Sequence, residues 1–145
     1  MAAVDDLSRL LAIEEIKQLK ARYFRYLDQH RWEDYRSLFT DDLVLDIPKT
    51  PEPRRDRDQF VDGARANLDG GLSIHHGHTP EITILDDTTA EGIWAMEDFV
   101  APDPASGRSP FAGAGYYVEE YRKVDGSWKI AKLSLLRLRR GRRRR

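Results

Sequence analysis

Three of the four histidines in this 145-residue chain fall in one short run, Ile74-His-His-Gly-His-Thr-Pro80. Histidine titrates nearest neutrality, so a histidine in a pocket can take a proton from a substrate and hand it on. If the run is a strand, His75 and Gly77 face one side while His76 and His78 face the other. Two histidines on one strand face could instead ligate zinc or iron. That needs a third ligand, and the chain has neither the H-x-x-x-H nor the HExxH spacing that supplies one, so no metal is expected. Asp28 is the second candidate, because it follows Tyr23, Tyr26 and Leu27 where a helix with an apolar face is ending. A desolvated carboxylate there suits general acid–base work. Beside His30 and Arg31 it could equally cap the helix or join a salt bridge, and the residues alone leave both readings open. Tyr23 and Tyr26 sit ~140° and ~160° around an ideal helix from Asp28. Both could border a pocket wrapping the helix end, where a hydroxyl can hydrogen-bond a carbonyl or a leaving hydroxyl; a core tyrosine with its hydroxyl at the surface is the alternative. In Trp94-Ala-Met-Glu-Asp98, alternation puts Asp98 on the same side as Trp94 and Met96, as an inward carboxylate or a strand-end residue near solvent. Arg137 either turns inward to pair with a buried acid or opens a basic tail.

These side chains need a scaffold, and the apolar pattern supplies one. Spacing of three and four over Ile13, Ile16, Leu19, Lys20, Tyr23, Tyr26 and Leu27 predicts a helix from Asp5 to Asp28. A second helix is expected over Trp32 to Leu38. Alternation predicts a first strand over Leu43 to Ile47, ended by Pro48, Pro51 and Pro53 in an irregular loop. A third helix is expected over Arg57 to Leu68, with Phe60, Val61, Ala64 and Leu68 inward. Strands then follow over residues 73–85, 88–100, 112–123 and 128–139. Asp86-Asp87 and Asp125-Gly126 are the turn signals, the second a hairpin cue. Helices first and strands later predict an α+β fold with an antiparallel sheet. Long strands joined by tight turns should curve and leave a pocket between helix and sheet.

Composition narrows the classes. Hydrophobic residues make up 40% and cysteine is absent, so a packed core is expected and a disulfide scaffold, thiolate metal site or cysteine nucleophile is excluded. No apolar run reaches the roughly 18–20 residues of a membrane span, and the acidic, amphipathic amino terminus does not read as a signal peptide. The expectation is a cytoplasmic protein with one domain over residues 1–140 and a basic tail at 141–145. Seven of the last nine residues are Arg, leaving 17 basic against 25 acidic residues, net −8, in the rest. The body offers no basic, aromatic-studded face, which argues against nucleic acid as the main ligand.

The runs Ile13-Glu-Glu-Ile-Lys-Gln-Leu-Lys-Ala-Arg-Tyr23-Phe-Arg-Tyr-Leu-Asp28 and Trp32-Glu-Asp-Tyr-Arg-Ser-Leu-Phe-Thr-Asp-Asp42 resemble the SnoaL-like branch of the nuclear transport factor two-like superfamily. His75-His-Gly-His-Thr-Pro-Glu-Ile82, Gly92-Ile-Trp-Ala-Met-Glu-Asp98, Gly115-Tyr-Tyr-Val-Glu-Glu-Tyr-Arg-Lys123 and Trp128-Lys-Ile130 continue the resemblance, which spans residues 8–139. It implies a cone-shaped α+β barrel, three helices against a strongly bent antiparallel sheet, with a deep apolar pocket. The branch nearest in character holds bile acid 7α-dehydratase and related dehydratases. By that likeness Asp28 and His75 form a dyad in which Asp orients His and His removes a proton, and Tyr23 polarises a substrate carbonyl. Asp98, Arg137, Tyr26, Trp94 and His78 are the accompanying substrate-binding candidates. Thr79 departs from the Asn common four residues after the histidine. The resemblance thus implies a cofactor-independent lyase of dehydratase type, acting on an apolar polycyclic or steroid-like carbonyl compound held in the pocket of a homodimer or homotrimer. An isomerase or polyketide cyclase in the same pocket, and a non-catalytic small-molecule-binding module, are the alternatives.

Overall fold

The computed structural model describes residues 3–46 and 56–142. Helix α1 runs Asp6–Asp28, α2 Trp32–Arg36 and α3 Arg57–Leu68; strands are β1 Phe39–Asp46, β2 Leu72–Ile84, β3 Thr89–Ala101, β4 Phe111–Val124 and β5 Ser127–Arg142. The Asp5 side chain caps α1 by accepting from the Ser8 N–H at 3.0 Å, satisfying one of the four free donors of a helix start. Its buried stripe, Ala12, Ile16, Leu19, Lys20, Tyr23 and Leu27, has helical spacing and lies against the sheet. Each large apolar side chain so buried contributes about 1.5–3 kcal/mol. The second helix stops at Arg36 rather than Leu38: the Ser37 hydroxyl takes the Asp34 carbonyl at 2.6 Å, and the Leu38 N–H donates to the Tyr35 carbonyl only three residues back.

The strands form one sheet in the order β1-β5-β4-β3-β2. Strands β2 to β5 are antiparallel neighbours, joined between β4 and β5 by a tight turn in which Asp125 and Gly126 both have positive φ (50° and 80°). That geometry matches the twist of a two-residue hairpin and favours Asp-Gly. The sheet is mixed rather than wholly antiparallel. β1 starts at Phe39, four residues earlier than alternation suggested, and runs parallel to β5. The chain between β1 and β5 runs through α3 and strands β2 to β4, far more than the roughly dozen residues that a parallel pairing needs. A register break between Phe39 and Val44 hides the first half of β1 from any period-two pattern. The sheet is curled but not closed, since β1 and β2 are left as its two edges. The expected strand end at Ile47 and the loop with Pro48, Pro51 and Pro53 lie outside the described residues.

Much of the basic carboxyl-terminal run is strand, not tail. Gly141 and Arg142 pair with Ala112 and Phe111 at the end of β5, while residues 143–145 lie outside the described part. Register shifts between Ala114 and Gly115, where Leu138 has no partner on β4. This β-bulge lets Arg137 and Arg140, three residues apart, both face the concave side of the sheet. Curl and bulge together leave a chamber under the end of α1. Among the described residues, no helix is long and apolar enough to cross a membrane.

Candidate active site

Asp28 is the last residue of α1, and β2 passes directly beneath it. One carboxylate oxygen accepts from the Ser73 hydroxyl at 2.9 Å and lies 2.6 Å from His75 Nδ1; the other accepts from the His75 backbone N–H at 2.8 Å. Three groups from one strand therefore fix both oxygens. With Asp28 ionised, this network assigns the ring proton to Nδ1 and leaves Nε2 with its lone pair. Nε2 is 3.9 Å from Asp98 on β3, and His75 and Asp98 are both buried. Asp98 is in turn held by Arg137 through two parallel hydrogen bonds of 3.0 and 2.8 Å. This bidentate pair neutralises the buried carboxylate and strengthens the protonated state of the guanidinium. Gly113 makes room for it: a Cβ there would overlap the Arg137 guanidinium and sit 2.6 Å from an Asp98 oxygen.

His75, Asp98 and Arg137 line a cavity of about 310 Å³ whose apolar walls include Leu27, Val100, Leu133 and Leu135. Tyr23, Tyr35 and Tyr117 are part of its lining. Burial, the largest cause for each, pushes these phenols well above the ordinary tyrosine value, so they remain neutral donors. Behind two of them lies Lys20, fully buried and ion-paired with Glu119 on β4. Its ammonium sits 3.7 Å from the ring centroids of both Tyr23 and Tyr117. Burial pushes Lys20 down to about 8, against the opposing pull of Glu119. Arg108 and Arg140 stand at the rim.

The structure gathers Asp28, His75, Tyr23, Asp98 and Arg137 around the chamber but leaves three named candidates elsewhere. Tyr26 is turned away along α1, its ring between the Arg25 and Arg31 guanidinium groups at 4.8 and 4.6 Å. Trp94 points inward but is farther along β3, donating its indole N–H to the Tyr121 hydroxyl at 2.9 Å. His78 is on the outer face with His76, as strand alternation dictates. Both face Glu97 of the neighbouring strand, at 3.3 and 3.7 Å. These three are, among the described residues, a group that could hold a metal ion, their donor atoms within 4.8 Å of one another, but on the opposite side of the sheet from the cavity. The third ligand that the sequence spacing did not supply comes from across the β2–β3 pair. Tyr35, Tyr117, Arg108 and Arg140 were not anticipated. Alternation along Gly115, Tyr117, Glu119 and Tyr121 is the signal that could have marked Tyr117.

The fold has close relatives among solved structures. A candidate scytalone dehydratase from Novosphingobium aromaticivorans matches with a TM-score of 0.81 at 20% identity, covering 95% of this chain and 91% of that one. A type 2 hexachlorocyclohexane dehydrochlorinase matches at 0.82 and 21%, covering 97% and 94%. A Mycobacterium tuberculosis protein of unknown function matches at 0.78 and 23%, covering 95% and 79%. Identity at this level speaks to the fold. At the level of sequence, the model of the SnoaL-like domain matches residues 8–134, and the chain belongs to that family.

Proposed function

We propose that this protein is a cofactor-independent lyase of dehydratase type, with the Asp28–His75 pair as its proton-transfer machinery and an apolar polycyclic or steroid-like carbonyl compound as substrate. The observation that carries the reading is the 2.6 Å contact between His75 Nδ1 and Asp28, made by a buried ring on the wall of a largely apolar cavity. A binding module has little use for a buried, oriented imidazole, whereas a proton-transfer enzyme needs one. Two structural neighbours are named as eliminating enzymes, a dehydratase and a dehydrochlorinase. The cavity is at the lower end of the roughly 300–1,000 Å³ of small-molecule sites.

In this reading Tyr23, neutral because it is buried, donates its hydroxyl hydrogen to the substrate carbonyl and acidifies the C–H α or vinylogous to it. His75 Nε2 takes that proton, and the C–H electron pair becomes the new C=C bond. The β-hydroxyl leaves, and the proton on His75 goes back to it, so that water departs. Asp28 stabilises the imidazolium formed in between and keeps Nε2 aimed. A positioned acid–base group contributes about 10²–10⁴-fold, and a hydrogen bond to the developing oxyanion roughly 3–4 kcal/mol. The test is a panel of fused-ring β-hydroxyketones followed by absorbance and product mass. Gain of an enone band with loss of the mass of water, abolished in His75→Ala, is expected. Product of unchanged mass would assign an isomerase instead, and no turnover of any member by folded protein would overturn the lyase reading.

A further inference from the structure

Beyond the mouth of the inner cavity lies a second chamber of about 550 Å³, built by the 102–110 loop and the end of β5. Arg108, Phe111 and Arg140 border both chambers, so the two adjoin across these three side chains. The inner one is largely apolar and reaches His75; the lining of the outer one includes three arginines, Arg108, Arg140 and Arg142. Elsewhere in the molecule arginines are commonly neutralised by aspartates: Arg31 by Asp34, Arg57 by Asp41, Arg65 by Asp69, Arg122 by Asp42 and Arg137 by Asp98. Among the described residues no carboxylate pairs with Arg108, Arg140 or Arg142. Two of the three are nevertheless held in place. Arg108 donates to the Asn67 side-chain oxygen at 3.0 Å and to the Asn67 carbonyl at 3.1 Å, which spends two of its five N–H donors. Arg140 lies 4.1 Å over the Phe111 ring. The bulge at Leu138 turns Arg140 to this side at all. Fixed, unneutralised guanidinium groups at the end of an apolar slot fit an oxyanion tied to an apolar body.

We infer that the substrate is an amphipathic anion, its apolar body in the inner cavity and a carboxylate or phosphate ester in the outer chamber against Arg108 and Arg140. This rests on the inner cavity being the substrate site, and it names the class of molecule that the site takes. Arg137 does not serve the anion, because Asp98 already occupies its fork. The outer groups act as a selectivity element: a neutral molecule of the same shape leaves them in water and gains nothing from them.

Calorimetric titration of the full chain with 2-naphthoate, 2-naphthyl phosphate and neutral 2-acetonaphthone tests the inference without needing turnover. At least one of the two anions should bind ten-fold or more tightly than the ketone, with an affinity that falls as salt is raised. Whichever anion is the tighter identifies the group. Arg108→Ala and Arg140→Ala, on separate elements and both exposed, should each weaken that anion about tenfold and leave the ketone unchanged. Arg108→Lys should recover part of the loss by keeping the charge. The readout is binding rather than turnover, which keeps this outcome separate from failure of the elimination chemistry. Equal affinity for anions and ketone, or anion binding indifferent to both alanine variants, would overturn the inference.

Discussion

Asp28→Asn changes which nitrogen of His75 carries the proton. The carboxylate accepts from three groups: the Ser73 hydroxyl, the His75 backbone N–H and, through the ring proton, His75 Nδ1. An amide has one acceptor oxygen and two donor hydrogens. Its oxygen must stay with the backbone N–H, which can only donate. The amide NH₂ then faces Nδ1 and the Ser73 oxygen, and Nδ1 has to become an acceptor. The ring proton moves to Nε2, and the lone pair that should meet the substrate is gone. The expected loss is that of a positioned base, about 10²–10⁴ in kcat, or roughly 3–5 kcal/mol at 1.36 kcal/mol per decade. KM should change little, because Asp28 is not among the residues lining the cavity. Long-range ¹⁵N–¹H NMR of histidine-labelled protein reads the tautomer directly: Nδ1–H in the unaltered chain, Nε2–H in the variant. His75→Ala should show the same kinetic loss, and the double variant little more, since the two act as one unit. An Asp28→Asn protein with kcat within threefold of the original, or one that loses activity while His75 stays protonated on Nδ1, would refute the reasoning.

Gly113→Ala should separate Asp98 from Arg137 and leave a buried carboxylate without its partner, at a cost of about 3–5 kcal/mol. At roughly 2–4 °C per kcal/mol the melting temperature should fall well beyond 5 °C, and a shift under 1 °C would contradict the packing described. Thr79, a β-branched residue at φ 39°, sits in the left-handed region that Asn tolerates better, so Thr79→Asn should raise stability by about 1 kcal/mol in urea denaturation. Burial lowers Lys20 to about 8, so between pH 8 and 10 the unfolded chain holds a proton that the folded one has released, and stability should climb. Above about 10 the buried tyrosines, all held higher than in the unfolded chain, reverse the slope. Denaturation across pH 7.5–11 should show this maximum, and Lys20→Met with Glu119→Leu should remove the climb while keeping the fall. Chelator and His78→Ala should leave turnover unchanged, because any ion at His76, His78 and Glu97 lies on the far face of the sheet.

Periodicity revealed most of the elements because α1 and the four long strands each bury one face, so burial writes a period of 3.6 or 2 into the chain. It could not show β1 fully, where Asp41 and Asp42 interrupt the alternation, nor that β1 would run parallel to β5. Nor could it show that Asp28 and His75 meet. One ends a helix and the other sits in a strand 47 residues later, and only the family resemblance linked them. Tyr26 and His78 show the limit of residue type as a guide, since the rotation of α1 and the alternation of β2 turn suitable side chains to the wrong side. Arg140 was hidden for a subtler reason. In a regular strand it would face away from Arg137, and a bulge cannot be read from a run of Arg and Leu.

That bulge also decides how β5 would respond to length changes. With Leu138 removed, Arg137 and Arg140 become second neighbours in an ordinary alternation, so both still point into the concavity while the strand loses its kink. With Leu136 removed instead, the frame shifts upstream of Arg137: its guanidinium swings to the convex side, Leu138 takes its place, and Asp98 is stranded. Two leucines two positions apart are thus unequal to an insertion or deletion, one near-silent and the other ruinous. Gaps in this stretch among related chains should gather at the 138 position and avoid the 136 position.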